Sequence, residues 1–320
     1  MSTFVIVLLF IIGIVLIVKG GDFFVDAATW IAEVTGIPKF IIGATVVSFA
    51  TTLPELLVSV FAAVQGKNDM AVGNAVGSVT ANIGLIMAVS IIFIPIAVSR
   101  AKFSFKAITM IASVVLLWVF CLGGSIGIPG AIVLLCIFAA FIIENIITGK
   151  KEMGTAKVNN IPRDKKTVII NILKFVFGAA GIVYGADLLV DYGSEIARML
   201  GVSEAIIGVT VIAIGTSLPE LVTTVTSIVK KQANLSIGNI IGANIIDLTL
   251  ILPVCSLIKG GSMPVAEQSL ALDMPFCGLV CVLSMLPVFI ISKFKRWQGF
   301  ALILVYSVYL VLLCTGIYLF

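Results

Sequence analysis

Long apolar runs recur along this chain at lengths that suit helices crossing a lipid bilayer. The hydrocarbon core of a bilayer is about 30 Å thick, so a helix rising 1.5 Å per residue crosses it with about 20 residues. Backbone N–H and C=O groups inside the lipid must form hydrogen bonds within the protein, which favours helices. The pattern predicts an all-α membrane protein with ten transmembrane helices, over residues 3–33, 39–64, 70–97, 104–123, 127–148, 167–200, 204–229, 235–258, 269–292 and 297–319.

Composition supports a membrane protein and narrows its chemistry. Of the 320 residues, 60% are hydrophobic and 11% are charged, with a mean hydropathy of +1.24, which excludes an ordinary soluble domain. The first run lacks a cationic start and a cleavage site, so we interpret it as a span and not a signal peptide. The chain has no histidine, and its six cysteines lack CxxC spacing. A transition-metal centre, a cofactor and enzymatic activity are therefore not expected.

The chain contains an internal repeat with an offset of 165 residues. Residues 20–55 align with 185–220 without a gap, with 16 of 36 positions identical, and GNAVGSVTANIG at 73–84 faces GNIIGANIIDLT at 238–249. Each copy holds five predicted spans, an odd number, so the second copy enters the membrane from the opposite side. We therefore expect two inverted repeats, residues 1–149 and 167–320, joined by a charged linker at 150–166.

Basic residues predict the orientation of the chain. One face collects Lys39 at the start of the second span and the loops after the third, fifth, seventh and ninth spans. These loops hold Arg100, Lys102, Lys106, Lys150, Lys151, Lys157, Arg163, Lys165, Lys166, Lys230, Lys231, Lys293, Lys295 and Arg296. The other face has only Lys67, Arg198 and Lys259. The positive-inside rule places the linker in the cytoplasm and both termini outside it, in a multi-pass cell-membrane protein. The basic loops need no nucleic-acid partner, because they serve as topology signals with some affinity for anionic lipid.

Each repeat places one glutamate deep in an apolar span. The segments GATVVSFATTLPE (43–55) and GVTVIAIGTSLPE (208–220) end in Glu55 and Glu220. A charged carboxylate at the bilayer centre costs about 2.5–3.5 kcal/mol on insertion scales. Spans 2, 3, 7 and 8 contain no interior lysine or arginine that would pair with it. Two such glutamates at matching depth indicate an ion site.

Oxygen ligands surround these glutamates in the sequence. Pro54 and Pro219 free backbone carbonyls one turn earlier, and further oxygens lie within reach at Thr51, Thr52, Thr216, Ser217, Ser78, Asn82 and Asp247. An all-oxygen set suits hard cations such as Ca²⁺ or Na⁺ better than Zn²⁺ or Cu⁺. Two carboxylates neutralise one divalent ion, or share several monovalent ions.

Other interpretations of single residues stay open. Serine and threonine hydroxyls in membrane helices often bond a carbonyl of their own helix. Close helix packing explains the glycines of GNAVG and GNIIG without an ion. Asn74 and Asn239 fit either helix association or support of the site. A matched GxDxxVD pattern places four aspartates at helix ends, at Asp22, Asp26, Asp187 and Asp191.

At these motifs the chain resembles the sodium/calcium exchanger family of the cation/calcium antiporter superfamily, in its prokaryotic type. The resemblance implies that Glu55 and Glu220 bind Ca²⁺ and Na⁺ in turn. It implies further ligands from hydroxyl or backbone oxygens at Ser48, Thr51, Thr52, Ala213, Thr216 and Ser217, flanked by Ser78, Asn82 and Asp247. Ala243 departs from the family, which often has serine there, so one possible Na⁺ ligand is missing.

The expected function is secondary antiport of Na⁺ for Ca²⁺ by alternating access at a shared mid-membrane site. K⁺-dependent Na⁺/Ca²⁺ exchange and H⁺/Ca²⁺ exchange are the alternatives, because Asp247 adds an acid that must be protonated or matched by cation charge. An intramembrane hydrolase is disfavoured by the many hydroxyl ligands. A channel is disfavoured because two fixed charges hold a divalent ion. The sequence leaves the oligomeric state open, a monomer included.

Overall fold

A computed structural model describes residues 2–93, 98, 100–153, 164–201, 215 and 217–315, without the side chains of residues 100–102. Its helices are α1 (Thr3–Thr35), α2 (Lys39–Thr51), α3 (Leu53–Val64), α4 (Asn68–Phe93), α5 (Arg100–Cys121), α6 (Ile128–Met153), α7 (Lys165–Met199), α8 (Leu218–Val229), α9 (Ala233–Ile258), α10 (Ser269–Ile291) and α11 (Arg296–Thr315). A short antiparallel ribbon joins β1 (Ser125–Gly127) to β2 (Ser262–Pro264).

The all-helical membrane architecture is confirmed. Among the described residues, eight helices are long and apolar enough to cross a membrane, and a ninth is obtained when α2 and α3 count as one span. Those two helices meet at a 45° bend. The predicted span 204–229 lies within the described residues only at Gly215, Ser217 and α8. Ten helices and an inverted repeat therefore stay predictions.

The ends of the predicted linker differ from expectation in detail. Helix α6 continues to Met153, so the first residues of the linker are helical, and α7 begins at Lys165. Asp164 caps α7 by accepting a hydrogen bond from the backbone N–H of Thr167 at 3.1 Å. Hydrogen bonds from Thr167 lower the pKa of this exposed aspartate, because they favour its charged form. Residues 154–163 lie outside the described part of the chain.

The chain forms two compact units, Met1–Thr51 with Thr148–Asn239, and Thr52–Ile147 with Ile240–Phe320. Each unit therefore takes helices from both halves of the sequence. The first unit is built on the pairing of α1 with α7. A Cβ atom on Gly20 would lie 2.8 Å from the Gly178 carbonyl oxygen, and one on Gly185 would lie 2.8 Å from that of Gly13. These four glycines occupy matched repeat positions and let two helix backbones touch, as small residues do in membranes.

The second unit carries the ribbon and a buried ion pair. Ser256 on α9 donates to the Ile126 carbonyl of β1 at 2.6 Å, which ties the ribbon to a helix end. Lys106 on α5, fully buried, lies 2.6 Å from Glu144 on α6. A buried lysine needs such a partner, because an uncompensated charge away from water is costly. The all-helical prediction missed the ribbon, since strands of three residues leave no alternating pattern.

Candidate cation site

Both LPE motifs begin a helix. Thr52 precedes α3 and Ser217 precedes α8, and each proline stands near the helix start, where its missing N–H costs no hydrogen bond. For Pro54 the predicted disturbance is confirmed as a complete break, since α2 ends at Thr51. The residue that bears the charge therefore lies in the first turn of a new helix in each motif.

Glu55 and Glu220 are both buried, with 0% of each residue exposed. They lie at the positive end of the dipoles of α3 and α8. This position stabilises a carboxylate by about 0.3–1 kcal/mol, and by about 2 kcal/mol in favourable buried geometries. Removing a carboxylate from water costs more than that. The helix ends thus favour the charged form without fully compensating it, which is the condition under which a cation binds.

In the second unit, α4 holds the first turn of α3 in place. The side-chain amide of Asn74 donates to the backbone carbonyl of Glu55 at 3.2 Å and to the hydroxyl of Ser59 at 2.9 Å. The Ser59 hydroxyl in turn lies 3.5 Å from the Ala71 carbonyl. Asn74 therefore joins two helices and at the same time holds the backbone of a candidate ligand, so both of its interpretations fit the structure. The sequence analysis missed Ser59, whose role depends on the packing of α3 on α4.

Further oxygens come from α4 and α9 of the same unit. Ser78 and Asn82 lie one turn apart on α4 and are 3% and 1% exposed. Asn82 donates to the amide oxygen of Asn244 at 3.1 Å. Its own amide oxygen and the Ser78 hydroxyl are shielded from solvent and have no hydrogen-bond partner among the described residues. These oxygens are available to an ion.

Asp247 occupies the repeat position that matches Asn82, and it is 1% exposed. Both residues begin a π-helical turn, Asn82–Met87 in α4 and Asp247–Ile251 in α9. Such turns widen a helix locally and are frequent at functional sites. Helices α3 and α4 both pack against the turn that starts at Asp247. Thr52, 2% exposed, precedes α3, so the second unit contains five of the predicted site residues.

The first unit contains Ser48 and Thr51, which lie on α2. The Ser48 hydroxyl donates to the Thr45 carbonyl at 3.0 Å, and the Thr51 hydroxyl lies 3.3 Å from the Ser48 carbonyl and 3.2 Å from the amide oxygen of Asn239. Both hydroxyls therefore donate to a carbonyl of their own helix, as the alternative interpretation predicts. This does not remove them as ligands, because a donating hydroxyl keeps its oxygen lone pairs.

Helix α8 adds hydroxyls to the first unit. The last turn of α2 packs against α8. The hydroxyls of Ser217, Thr223 and Thr224 are buried and have no hydrogen-bond partner among the described residues. Thr224 matches Ser59 in the repeat, so both LPE helices carry a hydroxyl one turn beyond the glutamate. The predicted ligands Ala213 and Thr216 lie outside the described residues.

The glycines of the two GNxxG motifs behave differently. A Cβ atom on Gly238 would collide with the Phe40 carbonyl of α2, so close packing is confirmed there. Gly73 and Gly77 have no close neighbour among the described residues, so close packing at GNAVG stays a prediction. That face of α4 carries Asn74 between the two glycines.

The arrangement suits a hard cation. Among the residues described, no three His, Cys, Asp or Glu side chains come together, and all six cysteines are free thiols. A buried polar atom without a partner costs about 1–3 kcal/mol. Within each unit, such oxygens lie on the helix of a buried glutamate or on a helix packed against it, and oxygen ligands are what Ca²⁺ and Na⁺ prefer.

Comparison with known proteins agrees with this chemistry. The family model described as sodium/calcium exchanger protein matches residues 5–146 and 170–315. The sodium/calcium exchanger MaX1 of Methanosarcina acetivorans is 31% identical over 345 residues, covering 96% of this chain and 97% of that protein. The putative antiporter CaxA of Alkalimonas amylolytica is 34% identical over 261 residues, covering 80% and 82%.

A solved structure of the sodium-calcium exchanger NCX_Mj, soaked with Na⁺ and Sr²⁺, superposes with a TM-score of 0.83 at 29% identity, covering 97% of this chain and 99% of that one. The apolar helices and the family match together define a multi-pass membrane ion transporter of the antiporter class. The chain belongs to the sodium/calcium exchanger family, as its sequence motifs predict.

Proposed function

We propose that this protein is a secondary antiporter in which Na⁺ entering the cell drives Ca²⁺ outward by alternating access. The same residues bind the two ions in turn: Glu55, Glu220, Ser48, Thr51, Thr52, Ala213, Thr216, Ser217, Ser78, Asn82 and Asp247. The observation that carries the proposal is the repeated first turn, in which a fully buried glutamate follows a hydroxyl residue at a helix start. The names of MaX1 and NCX_Mj support the choice of ions.

Charge balance makes the exchange electrogenic. Two carboxylates neutralise one Ca²⁺, whereas three Na⁺ leave one positive charge in excess. An ionised Asp247, almost fully buried, would leave the Ca²⁺-bound state with an uncompensated negative charge. Asp247 therefore stays protonated at neutral pH. The alternative is exchange that also involves K⁺ or H⁺, and the same buried acid favours it over other candidates, because a third carboxyl can accept an extra cation or a proton.

The transport cycle uses the inverted repeats, residues 1–149 and 167–320, joined by the cytoplasmic linker 150–166, with both termini outside. Helices α1 and α7 move as one body, because their backbones touch along matched glycines. Alternating access then requires small shifts of two long helices and no large domain motion.

Substitution of the glutamates tests the proposal. Glu55→Gln and Glu220→Gln keep size and remove one charge, so Na⁺-driven Ca²⁺ uptake into proteoliposomes should collapse while thermal stability is retained. Glu195→Gln is the matched control, since Glu195 is exposed and pairs with Arg198 at the end of α7. It should transport normally. Near-normal uptake in either folded glutamate variant refutes the proposed ligands.

A further inference from the structure

A polar cavity of about 500 Å³ lies in the first unit, apart from the candidate cation site. The last turns of α1 form one wall with Asp26, Thr29, Trp30 and Glu33. Lys174 of α7 and Lys230, in the turn after α8, line the rest together with Gln232. Its volume is typical of sites that hold a small molecule. None of these side chains has a role in the proposed exchange.

Two of the residues that line this cavity carry donors without partners. The indole nitrogen of Trp30 and the hydroxyl of Thr29 are shielded from solvent and have no hydrogen-bond partner among the described residues. An indole N–H can only donate. Lys174 makes no ion pair with another described residue. One ammonium and two neutral donors on one cavity favour an anionic oxygen group such as a phosphate.

The same cavity presents acceptors. Asp26 lies 2.7 Å from the Lys230 ammonium, and Glu33 lies 2.8 Å from that of Lys39. The side chains of both acids are nearly half exposed, at 49% and 43%, so each carboxylate keeps lone pairs for another donor. Two lysines and two acids line the cavity, so its charges cancel. A simple anion would leave an excess negative charge in the cavity, whereas a ligand that carries one positive and one negative charge would not.

Apolar surface adjoins the cavity. Leu173 and Phe177 flank Lys174 on α7 and are 47% and 65% exposed. Lys174 lies nine residues beyond Lys165, about 14 Å along the helix axis, so its charge stands within an apolar helix face. A tryptophan and a lysine beside lipid-facing residues are typical of the depth of phospholipid headgroups.

We propose that this cavity binds the headgroup of an aminophospholipid such as phosphatidylethanolamine. The phosphate accepts from Lys174, and from the Trp30 indole and the Thr29 hydroxyl once these two side chains turn towards it. The ammonium group donates to Asp26 and Glu33, and the acyl chains lie over Leu173 and Phe177. The bound lipid thus contacts both α1 and α7.

Native mass spectrometry of the purified protein tests this, with phosphatidylethanolamine, phosphatidylcholine and phosphatidylglycerol titrated separately. Phosphatidylethanolamine should bind most tightly, because a trimethylated ammonium cannot donate to carboxylates and a glycerol headgroup has no cation. Lys174→Met should weaken it on the order of tenfold, as expected for loss of a charge-assisted hydrogen bond. Trp30→Phe removes the N–H together with the five-membered ring that carries it but keeps an aromatic side chain, and it should weaken binding less, so it remains informative if Lys174→Met folds poorly.

Lys165→Met is the matched control, since Lys165 lies on the same helix and does not line the cavity. It should bind the lipid as the parent does. Equal loss in the control, or tighter binding of phosphatidylglycerol, overturns the proposal. The last titration uses soluble phosphoethanolamine, which has the headgroup but no acyl chains. If it binds as tightly as the lipid does, the cavity is a site for a small soluble molecule and not for a lipid, and the proposal is wrong.

Discussion

Asn74→Ala should weaken Ca²⁺ binding although Asn74 is not itself a ligand. Its amide joins two groups of α3, the Glu55 carbonyl at 3.2 Å and the Ser59 hydroxyl at 2.9 Å. Alanine removes both hydrogen bonds and frees the first turn of α3 from α4. Glu55 then samples orientations that do not face the ion.

The size of the effect follows from these two bonds. Each neutral hydrogen bond contributes about 0.5–1.5 kcal/mol, so about 1–3 kcal/mol of positioning is at stake. If the loss of one of these hydrogen bonds weakens ion binding by its full energy of about 1.4 kcal/mol, the Ca²⁺ affinity falls about tenfold. The remainder appears as reduced thermal stability.

The assay is isothermal titration of Ca²⁺ into purified protein, paired with a thermal melt. Asn145→Ala is the matched control, because Asn145 also lies in the second unit and its amide donates to the Phe141 carbonyl at 2.8 Å, within α6. It should lose stability without losing Ca²⁺ affinity. Unchanged affinity in folded Asn74→Ala, or an equal loss of affinity in the control, would refute the positioning role.

Three further predictions concern packing, orientation and charge. Gly178→Val should lower both the melting temperature and transport, because a Cβ there lies 2.7 Å from the Phe24 nitrogen and overpacking costs about 1–3 kcal/mol; Gly123→Ala, which faces open space among the described residues, should be neutral in the same melt. In a cysteine-free background, Lys151→Cys should react with an impermeant thiol reagent only from the cytoplasm and Ser2→Cys only from outside, and labelling of both from one side would contradict the inverted repeat. Asp247→Asn should preserve Na⁺-driven Ca²⁺ transport and its response to voltage, and its failure in a folded variant would show that Asp247 carries charge.

The helices were largely predictable, since their long apolar runs leave few alternatives in lipid. Thr52 shows the limit. A proline in an apolar run predicts a disturbance, but whether the helix kinks or stops depends on the packing of the two segments, and here it stops. The β1–β2 ribbon was not predictable either, because three-residue strands are formed by tertiary pairing and show no pattern of their own.

The duplication pointed to the two glutamates but not to every residue that supports them. Glu55 and Glu220 stand at equivalent positions, so each supports the other. Asn244 accepts a hydrogen bond from Asn82. Its counterpart in the first half is Val79, so an alignment of the two halves does not identify Asn244 as a polar position of interest. Ser59 and Asn74 differ again, because their roles come from contact between α3 and α4 that no spacing along the chain reveals.

The identity of the driving ion is the central claim, and one measurement tests it directly. Purified protein is reconstituted into liposomes, and Ca²⁺ uptake is followed while a Na⁺, K⁺ or H⁺ gradient is imposed alone. We predict uptake only with the Na⁺ gradient, accompanied by net charge movement, and abolished in Glu55→Gln and Glu220→Gln. Ca²⁺ uptake driven by a K⁺ or H⁺ gradient alone would contradict Na⁺/Ca²⁺ exchange and favour the alternative coupling.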